Sequence, residues 1–232
     1  VATVACNVTG IYSSGGTNMT ISNNTIGGST TNALVSGTAG VTTGATAITG
    51  IDVGSVTNLS INGNAVSYLR NNASNGSNNG IKATTSIYTV SNNTISDLSF
   101  TSTAGSNNTV VFGYVNTGSP TNETISNNRF SNFSIAGTGT STTSLIYGIY
   151  SNSTTSTKKF SGNQINDFNY SNSSTGSVVI SGIHNLLGTN VEIFKNKIYN
   201  LSANGVSSVV NGIQIASLST GGSVTVYNNL IS

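Results

Sequence analysis

Five carboxylates, Asp52, Asp97, Glu123, Asp167 and Glu192, and one histidine, His184, are the residues of this 232-residue chain suited to acid–base chemistry. Cleavage of polysaccharides commonly needs two carboxylates flanking the scissile bond. Only Asp97 and Asp167 occupy equivalent positions in the internal repeat described below, seven residues after Val90 and Phe160. Two repeats apart, with Asn132 between them, they would lie roughly 9 to 10 Å from one another if the repeats stack as strands. That is near the upper end of the spacing of inverting glycosidases. The same column holds Asn132 and Asn200, so the two are read as polar corner residues, and no catalytic residue is assigned. His184 has no carboxylate near it in repeat register and is read as a surface histidine.

The remaining ionisable groups are few. Lys195 and Lys197 flank Asn196, and Arg129 shares the column of Lys197; a basic spot for acidic glycans is possible there, a solvated face is preferred. Lys158-Lys159 is the one adjacent basic pair and is read as a solvated loop. Seven basic and five acidic residues give a net charge of +2, without the clustered Lys and Arg of a nucleic-acid footprint. A single cysteine, Cys6, excludes an internal disulfide and a Cys-cluster metal site. Neither cofactor nor metal is expected. The Gly-rich clusters follow no phosphate-loop spacing and are turns. Asn107-Asn108-Thr109, Asn122-Glu123-Thr124 and Asn152-Ser153-Thr154 fit glycosylation sequons, as chance provides in so Asn- and Thr-rich a chain.

What must position these residues is a repeat. Charged residues make up 5% of the chain and apolar ones 35%, with one Pro; typical soluble domains are roughly 25% charged. Such a composition suggests disorder unless periodicity supplies a core. "TISNNTI", "TVSNNTI", "TISNNRF" and "VYNNLI" recur along the chain. Aligned on Ile21, Ile61, Val90, Ile125, Phe160, Ile193 and Val226, every copy carries an asparagine three positions on: Asn24, Asn64, Asn93, Asn128, Asn163, Asn196 and Asn229. Subtracting neighbouring numbers gives spacings of 40, 29, 35, 35, 33 and 33. Five positions on stands an apolar residue each time, from Ile26 to Ile231; eight positions on stands Leu or Phe, with Ser29 the departure. Glycine followed by an apolar residue recurs 10 to 14 positions before each segment, from Gly10-Ile11 to Gly212-Ile213. Insertions such as "SGTAGVTTGATA" and "AGTGTSTTS" fall on one side of the unit, as loops do in stacked repeats.

The apolar positions alternate as in short strands. Repeats of about 33 residues with several strands and no helical segment fit a parallel β-helix, right-handed by the usual crossover rule. The expected fold is therefore all-β, a right-handed parallel β-helix of about seven coils in one unit spanning residues 1–232. The residue before each repeated asparagine is Asn or Gly in six of seven copies, Lys195 being the exception; these residues accept positive φ, which marks a sharp corner. The asparagine itself is never Gly, so its side chain is needed. Stacked about 4.8 Å apart along the axis, the amides would form a ladder.

"TISNNTISDLSF" and "ETISNNRFSNFSI" resemble the repeats of right-handed parallel β-helix proteins of the pectin-lyase-like superfamily, over essentially the whole chain. The low-charge Ser/Thr/Asn/Gly-rich style is similar to repetitive regions of bacterial surface and secreted proteins, particularly Bacteroidetes-type adhesins. That superfamily includes lyases, hydrolases, adhesins and passenger domains, so the resemblance implies fold more than activity. Both ends read as cuts through a longer polypeptide, to be covered by further coils or head-to-tail copies. A structural or adhesive segment of an extracellular or bacterial cell-surface fibre is the expectation, with surface glycans as further partners. A polysaccharide-active or glycan-binding β-helix is the alternative. An ice-binding face would need a Thr array, which the column Thr25, Ala65, Thr94, Arg129, Gln164 and Lys197 does not supply. No apolar run approaches the length of a membrane span.

Overall fold

A computed structural model describes residues 6–31, 33–38, 44–84, 87–102, 109–137, 144–153, 157–172 and 176–232. The described residues form a parallel β-solenoid with no helix. Sheet A takes Val8–Ser13, Ala45–Gly54, Asn75–Thr84, Thr109–Asn116, Ser144–Asn152, Val178–Leu186 and Val209–Ser217, in that order. Sheet B takes Gly16–Ser22, Val56–Asn62, Ile87–Ser91, Asn122–Ser126, Thr157–Ser161, Asn190–Phe194 and Ser223–Tyr227. Sheet C takes Thr25–Ile26, Leu34–Ser36, Ala65–Asn71, Thr94–Ser102, Arg129–Gly137, Gln164–Asn172, Lys197–Ala203 and Leu230–Ile231. The chain thus visits A, B and C in turn, one coil per circuit. The expected seven coils need refinement. Five inner coils have a neighbour on both faces, whereas the first and seventh are rims. The rim character shows in Val226 and Ile231, which are 46% and 52% exposed although their inner-coil equivalents are buried. The insertion residues 39–43 and 138–143, and Asn107 and Asn108 of one sequon, lie outside the described residues.

The core follows from register. The first apolar column, from Ile21 to Val226, pairs residue for residue through sheet B. The next, from Ile26 to Ile231, does so through sheet C. Phe133 and Phe168 continue a third column, their rings stacked 4.5 Å apart. Ser29, out of pattern in sequence, is bypassed: Leu34 pairs with Leu69 and takes the vacated core position. Each such buried Leu, Ile or Phe contributes about 1.5–3 kcal/mol of transfer free energy. The repeated glycines admit the second column. A Cβ at Gly148 would lie 2.6 Å from the Gly182 carbonyl oxygen and 2.9 Å from Ile165 Cγ2, so any side chain there would displace the core.

The corner between sheets B and C carries the asparagines. Asn23, Gly63, Asn92, Asn127, Gly162, Lys195 and Asn228 all have φ between 54° and 68°, Lys195 included. On one side of the corner, the N–H of Asn127 donates to Ser161 O at 3.0 Å; on the other, the N–H of Arg129 donates to Asn93 O at 2.8 Å. The N–H of Asn128 itself donates instead to Asn163 Oδ1 at 3.0 Å. Side chains supply the acceptor that the bent backbone cannot. Asn128 Nδ2 donates to the same Oδ1 at 3.1 Å and to Val90 O at 2.9 Å. This arrangement repeats from Asn24 to Asn229, with amide-to-amide distances of 2.9 to 3.1 Å at all six steps. Asn64, Asn93, Asn128, Asn163 and Asn196 are each 1% exposed; Asn24 and Asn229, in the rim coils, are half-buried.

Candidate functional site

Asp97 and Asp167 sit at a second left-handed bend, within the sheet C strands. Their φ values are 57° and 60°, and Tyr68, Asn132 and Asn200 in the same column have 54°, 59° and 55°. The strand register steps over this column, pairing Ser96 with Ser131 and Leu98 with Phe133. Asn and Asp accept this conformation best among residues with a side chain, which accounts for the column's composition without chemistry. Asp97 accepts from Ser96 Oγ at 2.7 Å and from Asn132 Nδ2. Asp167 accepts from Asn200 Nδ2 at 2.9 Å and from Asn166 Nδ2. Each carboxylate is thus held by an amide of the following coil. An open groove of about 450 Å³ runs beside Asp167, Asn132 and Asn200.

The outer face of sheet A carries an aromatic cluster. Phe112 stacks on Tyr147 at 5.4 Å and on Tyr150 at 5.3 Å, and Tyr147 stacks on His184 at 4.7 Å. His184 is therefore not the surface residue expected; it is 8% exposed, covered by these rings, with a ring nitrogen 2.9 Å from Gln214 Oε1. Burial holds its pKa below the usual value, opposed by the Gln214 bond. Burial pushes the Tyr147 phenol up to about 12, with Tyr150 adding to the shift. Alongside, Lys82 and Asp52 form an ion pair at 3.3 Å. They share a shallow groove with Thr49, Asn79, Phe112 and Val115.

Glu123 and Lys158 depart furthest from expectation. Lys158 was expected in a solvated loop, and Glu123 was one of five carboxylates available for acid–base chemistry, with no role assigned. Instead they are 0% and 1% exposed, on adjacent inner strands of sheet B, paired in register. Their column holds Met19, Leu59, Tyr88, Val191 and Val224 in the other coils. Two residues before the first apolar column, it alternates inward, and that spacing is the signal by which both could have been placed. Glu123 accepts from Tyr114 Oη at 2.9 Å, Asn116 Nδ2 at 3.3 Å and Ser151 Oγ at 2.6 Å. Lys158 Nζ donates to Asn185 Oδ1 and Leu186 O, both at 3.0 Å, and to Ser151 O at 3.4 Å. Burial raises the Glu123 pKa above its ordinary 4.5, although the Lys158 charge and the three donors pull it down. Burial lowers Lys158 to about 8, against the pull of Glu123. Tyr88 and Tyr114 close the cluster, their rings 6.3 Å apart.

Lys159, Lys195, Lys197 and Arg129 lie on the outside. Lys195 is exposed at its corner; Lys197 lies over the Tyr199 ring at 4.9 Å and Lys159 over Phe194 at 5.2 Å. Arg129 is two coils from Lys197, with Gln164 between them. Among the described residues no three of His, Cys, Asp and Glu gather as metal ligands, and no helix is long and apolar enough to cross a membrane. No protein-family model, no curated protein and no solved structure matches the chain.

Proposed function

We propose that the chain is a structural or adhesive segment of a large extracellular or bacterial cell-surface fibre protein, serving as a rigid rod for display or attachment. The observation that carries this is axial continuity. Six successive asparagine rungs, all donating in the same sense, tie each coil to the next beside three unbroken parallel sheets. At about 4.8 Å per step the described coils give a rod in which every cross-section is hydrogen-bonded to its neighbours. The repeat style, similar to pectin-lyase-like β-helices and Bacteroidetes-type adhesins, supports the same assignment. So does the placement of the carboxylates, with Glu123 in the core and Asp97 and Asp167 engaged by amides. The partners are further coils of the same polypeptide or copies stacked head to tail, covering apolar rim residues such as Val226 and Ile231. Sedimentation of purified 1–232 tests this: end-to-end association should grow with concentration. A stable monomer at high micromolar concentration would remove the stacking partner from the proposal.

A second function is favoured by one observation, the aromatic and polar outer face of sheet A. Tyr150, only partly buried, stacks on Phe112, which lines a groove with polar Asp52, Lys82 and Asn79, a composition suited to holding a sugar ring by stacking and hydrogen bonds. Binding of a glycan panel that is lost in Tyr150→Ala would make glycan attachment the task of the rod. Equal binding by both proteins would exclude this face.

A further inference from the structure

The buried cluster around Lys158 has no part in a rod held by its ladder and sheets, yet it sets an amine against a carboxamide. Lys158 lies on the fifth coil and Asn185 on the sixth, both 0% exposed. Lys158 Nζ stands 3.0 Å from Asn185 Oδ1. The amide cannot turn freely, because its Nδ2 is engaged with Leu187 O at 2.9 Å, which leaves the carbonyl side toward the amine. An amine held within hydrogen-bond distance of a carboxamide oxygen has already met much of the entropic cost that makes amine–amide exchange slow in solution.

We propose that Lys158 and Asn185 condense into an intramolecular amide bond that staples the fifth coil to the sixth through the core. The Nζ lone pair of the neutral amine attacks Asn185 Cγ, forming the new C–N bond, and the Cγ–Nδ2 bond breaks. Nζ gives up one proton and the departing Nδ2 gains one, leaving as ammonia; nothing is oxidised or reduced. Burial favours the neutral amine that the attack requires. Glu123, whose burial keeps its carboxyl closer to protonation than usual, is paired in register with Lys158 on the adjacent coil, where its charge acts on the amine. Ser151 holds both partners, its hydroxyl donating to Glu123 at 2.6 Å and its backbone carbonyl accepting from Nζ at 3.4 Å. Glu123 acts through that charge and is a positioning residue. Tyr88, Tyr114 and Phe160, all within the core, keep out the water that would hydrolyse an activated amide.

Mass spectrometry of the folded chain tests the bond directly. The intact protein should be lighter by one ammonia, and a protease digest should contain a branched fragment joining the Lys158 peptide to the Asn185 peptide. Cyclisation at an Asn-Gly pair such as Asn75-Gly76 would lighten the chain equally but leave the two peptides separate, so the fragment decides. Separate peptides from wild-type protein, cooperatively folded and incubated at mildly alkaline pH, would overturn the proposal. Lys158→Met should yield no branched fragment, and Asn185→Asp should form it with loss of water instead. Persistence of the fragment in Lys158→Met would assign the link to other residues. Glu123→Gln should slow bond formation in freshly refolded protein and flatten its pH profile; an unchanged rate and profile would remove Glu123 from the reaction.

Discussion

Asn128→Leu is the most informative single change, because its consequences can be counted bond by bond. Asn128 Oδ1 accepts from both the backbone N–H of Asn93 at 3.0 Å and Asn93 Nδ2 at 2.9 Å. Its Nδ2 donates to Asn163 Oδ1 and Val90 O. Leucine branches at Cγ as asparagine does and is larger, so no cavity opens, but all four bonds vanish. Asn93 Nδ2 retains Ile61 O and Ser91 O, at 3.0 and 2.9 Å, and Asn163 Oδ1 retains the backbone N–H of residue 128. The group left without a partner is the Asn93 N–H, buried at a corner where water cannot reach. One orphaned donor costs about 1–3 kcal/mol, and loss of the Val90 O bond adds about 1 kcal/mol. The total, on the order of 3 kcal/mol, corresponds to a fall of roughly 6–12 °C in the unfolding midpoint for a chain of this size.

Asn24→Leu is the internal control. Among the described residues Asn24 opens the ladder as a donor, its Nδ2 bonding to Asn64 Oδ1 and Ser22 O, and no backbone N–H of these residues donates to its Oδ1. Its replacement orphans no backbone donor and should cost under about 1 kcal/mol. Thermal unfolding followed by far-ultraviolet circular dichroism would measure both. Equal midpoint shifts in the two variants, or none in Asn128→Leu, would refute the claim that the ladder serves the corner N–H.

Gly148→Ala should destabilise by about 2 kcal/mol through overpacking, because its Cβ would strike the Gly182 carbonyl and Ile165. Gly15→Ala, with nothing within 4 Å, should be neutral in the same melt. Asp97→Asn should leave stability within about 0.5 kcal/mol, whereas Asp97→Val, branched at φ 57°, should cost about 1–2 kcal/mol; a reversed order in denaturant titrations would count against the bend. Neither wild type nor Asp97→Asn nor Asp167→Asn should degrade pectate or alginate, and turnover lost on either substitution would overturn the structural proposal. Glu123 has a folded pKa raised above its ordinary 4.5, so its contribution is present below that value and is lost as pH rises through the raised one. Wild type should therefore lose stability relative to Glu123→Gln between acid and neutral pH, and the opposite slope in paired denaturant midpoints would show that the donors outweigh burial.

The fold was legible because period, corner and ladder leave independent marks in sequence. Apolar columns three registers deep require strands, Asn or Gly before each rung requires the bend, and an asparagine never replaced by glycine requires a side-chain acceptor. The second bend was less legible: Tyr68, Asp97, Asn132, Asp167 and Asn200 share positive φ, but Tyr68 hides a column that two carboxylates make look chemical. His184 was misplaced because its cover comes from Tyr147 and Tyr150 on the outer face of sheet A, a lateral contact that axial register does not encode.

Lys158 and Glu123 failed for a different reason, and it bears on what they do. Residue type argued for solvent, while position, two before Phe160 and Ile125 in an inward-alternating strand, argued for the core. Type prevails when a lone charge would be buried, since desolvation outweighs packing. Position prevailed here because the two charges arrive together on adjacent coils, with Asn116, Ser151 and Asn185 replacing apolar residues in the facing column of sheet A. Neither substitution is tolerable without the others, as removing one partner from a buried pair strands the remaining charge. A core otherwise built from Ile, Val, Leu and Phe could hold coils together without such a set. Polar residues that must be placed as a group, at a cost the ladder and sheets do not require, are better explained by a reaction among them than by packing, and the Lys158–Asn185 contact is where that reaction would leave its product.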